Sequence, residues 1–542
     1  MSIAWADVVL TAAYAVSGWV LFSLTTHVPV ITAAESTHNS MPLAFIDTLP
    51  NRSQLGNGST PSIPAKYVRS RFLLDQNYQP LTNVPGNCTD SQGNPQPWEV
   101  QFHDDAGHSI INSTRTRYLQ FLLVTCGVSD APNQPDVSHT AQTWYRTSKD
   151  NGVTFSPFKQ VIATGFTPSN PLTGVLVGTN GYQFPGNSLV IPSNREQDVL
   201  IPLEIIPPLD QNNQPINPNP PYAVTSYSAV RILRGHWRSD GSDLDWEVGA
   251  MAEVALTPQT QSTRGLDETA IVEMGSTGHC VIVSRGSNQN GNFDRGEGSI
   301  ESHYWLFESQ DGCRTWVGPG SALGWDDGLK YFAPAAPPFL FIDRNNRVIF
   351  IGANSDANSS GNMPRTRVVA AEFDPTQLKL LKKTAVIVDE KYGFDSDQVD
   401  LIYSNYYYPQ NTGNLFYYTY RLDYGRPCTD GTQKCYPHNW HLLNPIPNSN
   451  AGFAISADPI IANQVDWPAV PKTQTFIVYA RNPLHQGFWE LQGTARGSAA
   501  GYLLRSLPPN GLPPDSDVQV IVFAKNLNGV LTSSGELTIH IH

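Results

Sequence analysis

The chain of 542 residues is short of charge: Asp, Glu, Lys and Arg make up 15%, against roughly 25% in an average soluble protein. Basic residues are the scarcer kind, with 34 Lys and Arg against 47 Asp and Glu and a formal net charge of −13. That balance excludes the basic stripe a nucleic-acid binder needs. It also excludes a polybasic patch for an anionic membrane surface. Cysteine is sparse, at six. There is no CxxC, and no histidine stands at zinc-ligand spacing from the cysteines. A P-loop, an HExxH and a nucleotide-binding glycine fingerprint are all missing. The run Asn288, Asn290, Asn292, Asp294 fails as an EF-hand because Phe293 stands where glycine is needed. No metal and no cofactor is expected. Amphipathic helical periodicity is scarce as well, which argues against a helical bundle.

What is present points to β structure. Gly 42, Pro 43 and 10% aromatics suit an extracellular, turn-rich protein and not a disordered chain. Short apolar runs alternate with turn clusters: YLQFLLVTCG (118–127), GNSLVIP (186–192), HCVIVSRG (279–286), FLFIDRNNRVIFIGAN (339–354) and TGNLFYYTYRL (412–422). Runs rich in Val, Ile, Phe and Tyr and bounded by Gly, Asn or Asp are strands. The composition divides the chain into an apolar N-terminal segment (1–45), a linker (46–64), a long repetitive β region (65–445), a second linker (446–466) and a C-terminal β segment (467–542) sized for a small β-sandwich.

Residues Val8 to Leu24 are uncharged and mostly apolar, about long enough to cross a bilayer. Two readings stand for 1–45: an export signal or membrane anchor, or a buried arm that supplies subunit contacts in an oligomer. Five Asn-x-Ser/Thr sequons, at Asn51, Asn57, Asn87, Asn112 and Asn358, fit secretion. The even cysteine count fits disulfides, with Cys88–Cys126, Cys280–Cys313 and Cys428–Cys435 the preferred pairing and six buried thiols the alternative.

One motif recurs. Ser148, Asp150, Gly152 and Thr154, followed by Phe155, fit S-x-D-x-G-x-T-W with Phe in place of Trp; Ser309, Asp311, Thr315 and Trp316 fit it with the glycine moved to Gly312. Physically it is a hairpin turn: Asp accepts backbone N–H groups, Gly takes the positive-φ position, and the aromatic packs between strands. Its role is structural.

Two such Asp boxes in a β-repeat chain resemble the sialidase (neuraminidase) superfamily, over roughly 98–425. The resemblance implies an all-β fold, a six-bladed β-propeller. It extends to an ordered set of residues. Glu268 in GLDETAIVEM is followed by Arg285 in VIVSRGS, then by Arg365 with Arg367 as its close rival, then by Tyr403 in IYSN, with Tyr406, Tyr407 and Tyr408 also open. A sialic acid carries a carboxylate at its reacting carbon, so a carboxylate nucleophile would be repelled, and a tyrosine replaces it. Carried over, Tyr403 is the nucleophile, Glu268 its base, and Arg285 with Arg365 or Arg367 holds the anion. Asp136, or next Asp130, is the acid and base toward the leaving oxygen. The strand that fits the family's first arginine, Trp98–Phe102, has none. The expected function is exo-type hydrolysis of terminal sugars outside the cell. The alternative is a catalytically inactive propeller that binds glycans or builds a surface or viral assembly.

Overall fold

The computed structural model describes residues 198–205, 228–252, 265–274, 278–288, 300–391, 452–504 and 511–542 with short gaps, part of 145–161, Ser262 and Thr263, and the backbone of strands elsewhere. Among the described residues there is no α-helix, only strands and the 3-10 turns Lys382–Thr384 and Pro483–His485. No described helix is long and apolar enough to cross a membrane.

Five antiparallel meanders follow one another along the chain. The first holds Trp98–Phe102, Tyr118–Cys126, Thr140–Ser148 and Lys159–Gln160. In the second, Tyr182–Gln183 and Ile191–Pro192 both pair with Asp198–Ile205, which leads to Ala229–Trp237 and Leu244–Val248. Asp267–Met274, His279–Arg285, Tyr304–Ser309 and Ser321–Ala322 form the third. The fourth holds Phe339–Ile342, Val348–Ala353, Arg367–Asp374 and Val386–Glu390. Val399–Tyr407, Leu415–Asp423 and His438–Pro445 make the fifth, completed by Ala44–Leu49 from the other end of the chain. Serial four-stranded meanders are the connectivity of propeller blades. Five are present among the described residues, where the resemblance implies six.

Packing between sheets explains the apolar runs. Strand Asp267–Met274 lies beside Asp198–Ile205 of the sheet before and Phe339–Ile342 of the sheet after. Successive side chains point to opposite faces. Ile271, Cys280 and Ile282 therefore share a core with Leu200 and Ile232. Val272, Val281 and Val283 share one with Tyr304, Phe350 and Val369. Strands buried on both faces read as continuous hydrophobic stretches, which is what the sequence displays.

The turn Ser309–Trp316 fastens the third sheet to the second. Ser309 Oγ donates to Asp311 Oδ1 (2.7 Å), and Asp311 Oδ1 accepts N–H bonds from Arg314 and Thr315 (3.0 and 2.9 Å). Burial opposes ionisation of Asp311, but hydrogen bonds from Thr315, Ser309 and Arg314 outweigh it and hold the carboxyl at about 2. Trp316 Nε1 donates to Ala250 O, two residues past the last strand of the second sheet (3.1 Å). Cys313 in this turn is joined to Cys280, the pairing the sequential order gives. The side chains of Cys88, Cys126, Cys428 and Cys435 lie outside the described residues, as do the side chain of Ser148 and the residues Asp150, Gly152 and Phe155 in the first motif copy.

The C-terminal residues form two sheets over one core. Thr473–Asn482, Phe488–Arg496 and Ser516–Asn526, with Leu531–Ser533 and Leu537–Ile541, make the larger; Ser456–Ala457, Gln464–Asp466 and Gly501–Leu503 make the smaller. Val465, Trp467 and Leu504 pack with Phe476, Val478, Val520 and Val522. Two of the small strands fall within 446–466, which composition marks as linker, because they are short and mostly polar. The opposite face of the larger sheet, with Ile477, Tyr479, Ile521 and Phe523, packs on Phe339, Ile351, Val368 and Val386 of the fourth meander. Val386 and Trp489 even pair in parallel, so the module continues the fourth sheet.

Candidate functional site

The candidate site gathers at one edge of the second and third meanders, and backbone geometry creates it. The chain enters the third sheet through Gly265, whose φ is +73° and where a Cβ would sit 1.9 Å from Ser228 O, so only glycine fits. Two residues later Asp267 pairs with Arg285, and the ladder then slips by one residue. Glu268 occupies the slip with φ +33°. A non-glycine residue there is strained, and a bulge re-aims its side chain. The Glu268 N–H donates to Glu204 Oε1 (2.6 Å) and to Asp267 Oδ1 (2.9 Å). Its carboxylate accepts from Arg285 Nη1. Arg285 Nη1 also lies 3.7 Å from Asp267 Oδ2, and Nη2 donates to Asn362 Oδ1 (3.1 Å).

Electrostatics divides these groups. Glu204 is buried. Burial first, then the charge and hydrogen bond of Asp267, push its carboxyl well above the usual carboxylate range. Arg285 is moved up too: burial works against its charge, but Glu268, Asp267 and Glu204 outweigh it. Glu268 and Asp267 keep 19% and 24% of their side chains exposed, so they are the members a ligand can reach. A carboxyl that holds its proton more tightly than usual, beside accessible carboxylates, is an arrangement that general acid–base chemistry uses.

A pH experiment checks the Glu204 assignment. A folded-state pKa raised above the unfolded value, about 4.3 for Glu, gives stability that is complete below that value and lost as pH rises through the folded one. Thermal melts should therefore show the wild type losing stability relative to Glu204→Gln as pH rises from about 4.3. Parallel profiles for the two proteins would remove the upward shift at Glu204.

Glu268 and Arg285 are brought together. Arg365 Nη2 donates to Ala335 O, and Arg367 pairs with Asp356 (2.8 Å), with Glu390 3.9 Å away; these acceptors are not those of Arg285. The backbone of Val399–Tyr407 follows directly, with Leu401 N–H donating to Arg365 O (2.8 Å). The side chain of Tyr403, and Asp136 and Asp130, lie outside the described residues. Most of the loop after Arg285 does too, but Asn288 is described: it is fully buried, donates to Ser359 O (2.6 Å) and accepts from the Gly361 N–H (2.7 Å). It thereby holds the segment that delivers Asn362. Asp267 and Glu204 were missed. Asp267 is the neighbour of Glu268, whereas Glu204 sits next to last in the apolar run DVLIPLEI and gives no local signal.

No protein-family model matches the chain, and no curated protein matches it by sequence. Among solved structures it is similar to an alpha-L-arabinanase of Penicillium chrysogenum complexed with arabinobiose (11% identity, 74% of this chain and 98% of that one, TM-score 0.30). A GH93 alpha-L-arabinofuranosidase of Fusarium graminearum with arabinobiose follows (13%, 63% and 89%, TM-score 0.26). So does a mutant of the NanB sialidase of Streptococcus pneumoniae (10%, 63% and 71%, TM-score 0.24). Scores this low carry neither an activity nor a blade count.

Proposed function

We propose that this protein processes glycans by acid–base hydrolysis of a glycosidic bond at the Asp267–Glu268–Arg285 edge. One observation carries the reading: a strained bulge presents the Glu268 carboxylate to Arg285 beside Glu204, a carboxyl whose pKa burial and Asp267 push well above the usual carboxylate range. In its finer form the reaction is of sialidase type and exo-acting, and the protein works outside the cell. Tyr403 attacks the anomeric carbon, Glu268 takes its proton, and Asp136 protonates the leaving oxygen. Arg285, with Arg365 or Arg367, holds an acidic sugar.

The test is turnover on a panel of aryl glycosides. Glu268→Gln should cost at least about a hundredfold in kcat/KM with the fold intact by circular dichroism. Tyr403→Phe should cost as much if the finer form holds, and equal turnover in that variant would remove the tyrosine. A second reading, an inactive glycan-binding or assembly module, is favoured by the saturation of Arg285 by Glu268, Asp267 and Asn362. No turnover on any glycoside, with glycan binding retained, would establish it against the first.

A further inference from the structure

We infer that Glu390, His485 and Glu490 form a site for a divalent cation of the zinc class, clamping the C-terminal module to the fourth meander. The inference is independent of the hydrolytic reading. His485 Nδ1 lies 3.3 Å from Glu390 Oε2 and 3.4 Å from Glu490 Oε2, and all three donor atoms lie within 4.8 Å of one another. Two ligands bound at about 2.0–2.2 Å in a tetrahedral shell stand roughly 3.3–3.5 Å apart. The donors come from two units. Glu390 ends strand Val386–Glu390, whereas His485 and Glu490 flank the turn of a C-terminal hairpin.

The turn is built to hold them. Asn482 is fully buried, donates to Glu490 Oε2 (2.7 Å) and accepts the Leu484 N–H (3.1 Å). Gln486 and Gly487 then reverse the chain at positive φ. Orienting partners of this kind accompany metal ligands. A separate observation points to a missing acceptor. Arg367 is over nine-tenths buried, and its Nε–H faces Glu390 Oε2 at 3.9 Å with no hydrogen-bond partner. A water on the open position of the metal would accept it.

Charge agrees. Three carboxylates, Glu390, Glu490 and Asp356, stand against the single guanidinium of Arg367. The imidazole nitrogen selects zinc over magnesium or calcium, which prefer all-oxygen sites.

The experiment uses the full chain, stripped with chelator and titrated with Zn²⁺ alone by calorimetry, thermal melting and amide exchange. His540 and His542, whose rings stand 4.9 Å apart near Asp517, are an obvious adventitious zinc site, so the background is H540A/H542A. The expected result is one bound equivalent, a raised Tm, and slowed exchange in Phe488–Arg496. His485→Gln and Glu490→Gln should each weaken binding by more than the roughly 10- to 100-fold typical of outer-shell changes. Unchanged affinity in both variants would overturn the site, and so would the absence of zinc protection in the parent protein. The parent measurement decides the matter alone if the variants do not fold.

Discussion

Arg234→Ala is expected to destabilise the protein by about 3–5 kcal/mol, the range for breaking a buried charge network by removing one partner. Arg234 is only 3% exposed, and it bridges the second and third meanders. Nη1 donates to Asp198, Nη2 to Glu273 (2.8 Å), and both Nη2 and Nε to Gly312 O (2.9 and 3.3 Å). Glu273 and Asp198 are both buried, so the alanine variant leaves two carboxylates in the interior without the guanidinium, Asp198 keeping its His236 Nδ1 contact (2.5 Å). The same contact fixes Gly312, where a Cβ would meet Arg234 Nη2 at 2.4 Å and φ is +78°. Against a typical total of about 5–15 kcal/mol, the loss is a large share. Urea unfolding measures it. Arg234→Lys should recover little, because an ammonium lacks the planar fork that reaches three acceptors. Combining Arg234→Met with Asp198→Asn and Glu273→Gln should recover much of the loss, since the penalty comes from the stranded charges. A shift within about 0.5 kcal/mol for Arg234→Ala, the size of an ordinary surface change, would deny the network its role.

The difference between Arg234 and Glu268 says what a sequence of this kind exposes. Glu268 and Arg285 were legible together because a single hairpin joins them, with Asp267 opposite Arg285 in the ladder. Strands were legible for a similar reason: YLQFLLVTCG became Tyr118–Cys126 and HCVIVSRG became His279–Arg285. Both signals are local. Arg234 and Glu204 pair with residues on other sheets, and the Glu390–His485–Glu490 group joins strands far apart in the chain; such contacts leave no period or spacing in the sequence. Of GNSLVIP, Ile191–Pro192 is described and is a strand; the rest of the run lies outside the described residues. The C-terminal segment read as a separate unit because its own strands alternate well. Its docking face reads as continuous hydrophobic sequence, TFIVYA, whichever partner covers the second side.

That docking face gives the other large effect. Trp489→Ala should cost about 3–5 kcal/mol and should divide one unfolding transition into two. Trp489 is fully buried between the fourth meander and the module. Its backbone N–H donates to Ala385 O (2.9 Å) and its Nε1 to Lys383 O (3.2 Å), while the Arg481 guanidinium lies 4.8 Å from the ring centroid. Alanine would keep the backbone bond and lose the ring, the indole bond and the cation–π contact. The module has a second core on its far face, around Phe476, Trp467 and Val520, so it can stay folded when the joint loosens. Calorimetry should resolve it as a separate transition, with Ile477, Tyr479, Ile521 and Phe523 newly open to a hydrophobic dye. Trp489→Phe refills most of the space and should restore a single transition at an intermediate temperature. One cooperative transition in the alanine variant, lowered by less than about 1 kcal/mol, would mean that the two units are held by the broad sheet contact and not by this ring.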